Sequence, residues 1–170
     1  SGQPGGGGGG RIAVFYGSTQ DFDFAQLSVE GGDTGASRNG ASGTIYVQQA
    51  GQAPTVVVRG NGRETPLPAT QGDEHLILDN ALVSATNINV ATLVLTNGAV
   101  LTHPGADLAT EYRLLITAGT LTISTNSRID VSARGYLGAL NGANVASQTG
   151  RTLGNTTVGG SLRRNGGSYG

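Results

Sequence analysis

The chain has no cysteine, methionine, tryptophan or lysine; all ten of its cations are arginine, and only eight residues are aromatic. Each absence removes a class of protein. Without cysteine there is no disulfide staple and no zinc–thiolate site. Without lysine, no lysine–asparagine isopeptide bond can toughen the chain from within, and no phosphate-binding Gly-Lys-Ser/Thr loop exists. The net charge of −1 leaves no basic footprint for nucleic acid. No apolar run reaches the roughly 18 residues that a membrane-spanning helix needs. No signal-peptide pattern occurs within the 170 residues, and an opening on Ser1 rather than Met reads as a processed product or an excised piece.

What the chain does contain is glycine, 30 of 170 residues, and short aliphatic clusters bounded by turns. Three eight-residue stretches are nearly alike: Leu76–Val83, Leu93–Val100 and Leu114–Leu121. Each runs aliphatic, polar, turn dipeptide, aliphatic. Their starts lie 17 and then 21 residues apart, the length of one coil of a solenoid. A unit this short cannot bury its apolar side alone and must stack on neighbours. Other strands are expected at Arg11–Gly17, Phe22–Val29, Thr44–Gln48 and Thr55–Arg59, with a loop over Thr65–Asp73. In Leu121–Ser132, Leu121, Ile123, Ile129 and Val131 point one way and Thr122, Ser124, Asp130 and Ser132 the other, a half-buried strand pair around a tight corner. Helix signals are poor, with room for one turn in Gly105–Arg113.

These readings predict one all-β domain, a right-handed parallel β-solenoid of about five coils over residues 11–133. A Gly-rich joint (1–10) precedes it, and an irregular excursion rich in Gly, Asn and Thr (134–170) follows. Joined head to tail, Gly166–Gly170 and Ser1–Gly6 would make one continuous Gly-rich bridge, as in a piece built to stack into a longer array.

No catalytic pattern stands out. The Gly5–Gly10 run leads into a strand rather than a helix N-terminus, so it does not read as a nucleotide loop. Asp79, Asp107, Glu111 and Asp130 are scattered; in solenoid register Asp79, Thr96 and Thr117 would form a column with one acid, too few for paired acid–base work. Asp21, Asp23 and Asp33 could offer oxygen ligands to a structural calcium ion, but neither known calcium-loop pattern is present; no other cofactor is expected. His75 and His103 are isolated. Thr120-Leu-Thr122 is a single Thr-x-Thr triplet where an ice-binding face needs an array. Exposed aromatics suggest a contact surface, and Gly5, Gly10, Phe15, Tyr46 and Tyr169 are the candidate inter-subunit contacts.

The stretches Asn97–Gly105, Ser127–Gly138, Gly150–Gly160 and Gly166–Gly170, together with the opening glycines and Arg11–Val14, resemble repeat regions of very large bacterial surface proteins. The resemblance implies a location outside the cell and a structural or adhesive role, and brings no site residues. The expectation is a non-enzymatic subunit of an extracellular fibre, sheath or surface stalk, stacked head to tail on copies of itself through open strand edges. The alternative is an adhesin module binding a glycan or host surface; a carbohydrate-active enzyme comes third. Neither nucleic acid nor membrane insertion is expected.

Overall fold

The computed structural model describes residues 5–19, 23–35, 38–60, 62–145, 147–162 and 166–167. It divides into two units. The first comprises residues 1–102 and 115–130; the second, residues 103–114 and 131–170.

Among the described residues, ten strands lie in the first unit: β1 Arg11–Tyr16, β2 Gly43–Gln49, β3 Thr55–Arg59, β4 Thr65–Pro66, β5 His75–Asp79, β6 Leu82–Ser84, β7 Asn87–Thr96, β8 Val100–Thr102, β9 Leu115–Ile123 and β10 Arg128–Ile129. They form a six-stranded sheet in the order β1-β2-β3-β5-β7-β9 and a four-stranded sheet in the order β10-β8-β6-β4. The smaller sheet is parallel throughout. The larger is mixed, because β2 and β3 are antiparallel.

That pair overturns the all-parallel five-coil solenoid expected from the spacing. Only the five residues Ala50–Pro54 separate β2 from β3. A connection this short can reverse the chain in a hairpin but cannot carry it back to a parallel start, which takes a dozen residues or more. The result is two sheets, with no closed coil around a common axis.

The register of the third matched segment also differs. Leu76 pairs with Leu93 and Asp79 with Thr96, as the 17-residue offset implies. Leu93 then pairs with Leu121, 28 residues on (121 − 93), rather than with Leu114. Thr117 accordingly lies beside Asn89, away from the Asp79–Thr96 column. Two features absorb the extra length: β7 and β9 are long strands of 10 and 9 residues, and residues 103–114 belong to the second unit. The strand expected over Phe22–Val29 is replaced, among the described residues, by a 3-10 turn at Phe24–Gln26.

Each of β5, β7 and β9 passes through a corner into its partner in the smaller sheet, and an asparagine at every corner takes the left-handed conformation: Asn80, Asn97 and Asn126, at φ 49, 55 and 71°. Asparagine accepts this region more readily than other side-chain-bearing residues. Ala81 and Ala99, buried just past the first two corners, leave room for the sheets to close on each other. The core is then a set of cross-strand columns. Val58, Leu78 and Leu95 are neighbours by register, as are Leu76 and Leu93; in the smaller sheet Val83 lies beside Leu101. All of these are at most 1% exposed.

The sheet does not keep the same side buried along its width. By register, Ala13, Tyr46, Val56 and Leu76 share one face, and Ile12 and Ile45 share the other. At β5 and β7 the core is on the first face, and β3 stands at the border, with Val58 buried on the first face and Val57 packed into the second. At β1–β2 it is on the second, where Ile45 and Val47 pack with Val29, Leu27, Ile12 and Tyr16. Strands β1 and β2 have no counterparts in the smaller sheet, whose four members follow β3, β5, β7 and β9 in the chain. Their first face therefore has no second sheet over it.

The glycine run is an ordered part of this second core. Gly5–Gly10 lies between Val29–Gly32 and Gly40–Gly43, with Gly9 N–H donating to Ala41 O, Gly10 N–H to Val29 O and Gly32 N–H to Gly7 O at 2.8–2.9 Å. A Cβ on Gly6 would fall 2.1 Å from Gly32 O, and one on Gly9 2.4 Å from Val29 O, whereas Gly7, Gly8 and Gly10 have open space. The three-residue interval between the pressed positions matches the three residues per turn of an extended polyproline-type helix.

In the second unit, Tyr136 is buried and its hydroxyl donates to Glu111 Oε2. Asn144, also buried, donates from Nδ2 to the carbonyls of Gly138 and Thr149, both at 3.0 Å. Among its described residues, regular structure consists of a 3-10 turn at Gly142–Asn144 and two isolated bridges, Thr149–Leu162 and Thr152–Thr156. No helical turn forms in residues 105–113. Among the described residues no helix is long and apolar enough to cross a membrane.

Candidate functional site

Two surfaces of the first unit stand out. The first is the end where both sheets stop. Strand β9 pairs with β7 on one side and, among the described residues, with no strand on the other; β10 ends the smaller sheet in the same way. The core columns run out into solvent here. Leu93 and Leu95 are 0% exposed, but their partners Leu121 and Ile123 are 47% and 43% exposed. In the smaller sheet Leu101 is 0% exposed and its partner Ile129 36%. The sequence Leu115-Ile-Thr-Ala-Gly-Thr-Leu-Thr-Ile123 carries no charge and no proline. Those are the devices by which edge strands usually discourage pairing.

The second surface is a cleft of about 360 Å³ at the β1–β2 end. Its floor is the first face of β1, β2, β3 and β5, including Arg11, Tyr46, Val56 and Leu76; its roof is the segment Leu67–Gln71, which follows β4. The roof is tied down at Glu74. That buried carboxylate accepts the backbone N–H of Gln71 at 2.8 Å and of Gly72 at 2.9 Å, and the Glu74 carbonyl accepts the N–H of Ala91 at 3.0 Å.

Beside these lies a polar group on β3 and β5. Arg59 and Asp79 are register partners, with Nε to Oδ2 at 2.8 Å, and Arg59 Nη1 donates to Leu27 O at 2.8 Å. Glu30 stands 3.8 Å from Arg59. The Ser28 hydroxyl donates to Glu30 at 2.6 Å and is the main reason its carboxyl titrates below the ordinary value; backbone N–H groups and the Arg59 charge act in the same direction, and burial opposes them. Asn97 Nδ2 donates to Asp79 Oδ1 at 2.7 Å. The carboxylates here are committed to an arginine, a hydroxyl and an amide, an arrangement that braces the β3–β5 border.

The expected contact residues are dispersed. Phe15 and Tyr46 do come together: their ring centroids are 5.5 Å apart, and Phe15 is 70% exposed. Gly5 and Gly10 are exposed members of the internal glycine layer. Tyr169 lies outside the described residues, as does Asp21. Asp23 and Asp33 each accept a backbone N–H two residues on, from Ala25 at 2.8 Å and Gly35 at 3.0 Å, as turn formers do. Among the described residues no three of His, Asp and Glu converge to hold a metal ion. His75 is exposed at the start of β5, and the His103 ring contacts Pro104 O at 2.7 Å.

The alternation in the sequence assigns Leu121, Ile123 and Ile129 a common direction; that this side lies at the end of both sheets, with the three side chains 36–47% exposed, is not legible in it. It passed over Arg11, Leu67 and Glu74. The signal available for the roof was Pro66-Leu67-Pro68, an apolar residue held between two prolines in a loop.

Comparison with known proteins finds no family model that matches the chain, and neither a curated protein nor a solved structure that is similar to it.

Proposed function

We propose that this chain is a structural module of an extracellular or cell-surface assembly, and that it joins a second copy of itself through the free end formed by β9 and β10. The observation that carries the reading is the exposure of Leu121, Ile123 and Ile129 at positions whose register partners are completely buried. One further layer of the same kind would complete these columns. Covering three half-exposed aliphatic side chains contributes about 1 kcal/mol each, and the nine-residue edge of β9 adds backbone hydrogen bonds.

The sheet itself favours one pairing. Placing β1 of another copy beside β9 in the same orientation would set Arg11, Ala13 and Phe15 against Leu121 and Ile123, because β1 buries its opposite face. A twofold axis perpendicular to the sheet instead sets β9 antiparallel to β9, with Leu121 and Ile123 of each copy on the same side. It also brings the two β10 strands together. Such a contact is isologous and closes on itself. The resemblance to repeat regions of large bacterial surface proteins supports the location.

Sedimentation velocity and light scattering across a concentration series test this. The expected result is a monomer–dimer equilibrium that Ile123→Lys shifts to monomer while the far-ultraviolet spectrum holds. A chain that stays monomeric at 100 µM, or an Ile123→Lys variant that dimerises as the parent does, refutes it.

A further inference from the structure

The cleft at the other end of the sheet has the make-up of a small-molecule site. Its volume, about 360 Å³, lies in the range of ligand pockets, and its lining is mostly apolar with a few polar groups, as such sites are. The apolar walls are Tyr46, Val56 and Leu76 below and Leu67 and Pro68 above. The cleft is built rather than incidental. It exists because β1 and β2 extend past the smaller sheet, and because Glu74 holds the roof by its Gln71 and Gly72 N–H groups.

Two charged side chains line it, Arg11 and Glu74. The Glu74 carboxylate is occupied by the roof. Arg11 is exposed and takes part in none of the ion pairs among the described residues, which belong to Arg59 and Arg128. The charge left to address a ligand is therefore that of Arg11, on a lining that is otherwise mostly apolar. A guanidinium presents a planar fork of donors that fits a carboxylate bidentately.

We infer that the cleft binds a small amphipathic carboxylate, an aryl- or short alkyl-carboxylic acid, with its hydrocarbon body against Tyr46, Val56 and Leu67 and its carboxylate on Arg11. Tyr46 suits this role: its ring is half-buried, and its hydroxyl is turned aside to donate to Gln48 Oε1 at 2.8 Å.

The test is calorimetric titration of the whole chain with 3-phenylpropionate and with its neutral isostere 3-phenylpropionamide, with backbone amide shifts mapping the site. The acid should bind about tenfold more tightly than the amide, as expected for one charge-assisted bidentate contact. Amide shifts should cluster at Arg11, Tyr46, Leu67 and Gly72. Added salt should weaken the acid and leave the amide unchanged. Arg11→Gln, at an exposed position, should bring the acid down to the affinity of the amide without altering the melting temperature. Leu67→Asp should weaken both. Equal affinity of acid and amide, an unchanged acid affinity in Arg11→Gln, or no saturable binding of the acid at millimolar concentration overturns the inference. None of these readouts depends on the β9 edge, so the dimer and the cleft stand or fall separately.

Discussion

Replacing Gly9 by alanine should be among the most damaging single-methyl additions in this chain, while the same change at Gly10 should be harmless. A Cβ at Gly9 would stand 2.3 Å from Gly43 N, 2.4 Å from Val29 O and 2.6 Å from Gly43 Cα. Ordinary contact begins near 3.4 Å, so the neighbouring segments must retreat by about 1 Å on two sides. All the atoms in the way are backbone, and no rotamer change can relieve them. The segments are held by Gly9 N–H to Ala41 O at 2.8 Å, Gly10 N–H to Val29 O at 2.9 Å and Thr44 N–H to Gly10 O at 3.0 Å. Overpacking costs about 1–3 kcal/mol, and each backbone bond stretched past its useful range costs about 1 kcal/mol more. The sum is about 3–5 kcal/mol. At Gly10 the Cβ position is open, and alanine there stiffens the unfolded chain, worth about 0.4–1 kcal/mol in favour of folding. The two substitutions thus differ in sign one residue apart. Urea unfolding followed by circular dichroism measures both, read as the shift in midpoint at constant slope. Gly6→Ala and Gly7→Ala should repeat the pattern three residues earlier. If Gly9→Ala and Gly10→Ala unfold at the same midpoint, the glycine run is not packed as described and its role as a core element fails.

Two further outcomes follow from the site geometry. Leu95→Ala should cost about 2–5 kcal/mol as a core truncation, while Ile123→Ala, at its half-exposed register partner, should cost under about 1.5 kcal/mol in dilute monomer. Parity of the two in urea melts would mean that β9 is covered in solution. The Glu30 carboxyl titrates below its ordinary value of 4.5. Its contribution to stability is therefore complete above that value and is lost as pH falls through the lowered one. A carboxyl-carbon NMR titration should show the low midpoint and its return toward 4.5 in Ser28→Ala; an unchanged midpoint there would remove the Ser28 hydroxyl as the cause.

Local pattern located most strands. The valine run in Thr55–Arg59, the apolar stretch Arg11–Tyr16 and the paired clusters at Leu76 and Leu93 coincide with β3, β1, β5 and β7, because short β-branched and aliphatic runs bounded by turn residues favour strands. The corner asparagines have a local cause, since few side-chain-bearing residues accept a positive φ, but the third matched segment reads as turning at Ala118-Gly119, which lies inside β9, while the corner falls at Asn126. Of the candidate contact residues, Phe15 and Tyr46 stand out in the sequence only as separate outward aromatics, and nothing in the chain announced their ring contact, the roof above Tyr46 or the guanidinium of Arg11 beside it. Those depend on where a strand from elsewhere stops.

What the sequence by itself determined is the all-β character, the strand-and-corner unit and the 17-residue step from Leu76 to Leu93. Tertiary structure decided three things that periodicity cannot encode. It chose the partner of β3, because a five-residue connection forces a hairpin where like sequences elsewhere pair in parallel. It set the partner of Leu93 at Leu121 rather than Leu114, because register follows the burial of whole strands and not the likeness of short words. And it reversed the buried face between β2 and β3: a two-residue alternation reads the same in either phase, and only the core it meets, glycine backbone on one side or a second sheet on the other, selects between them.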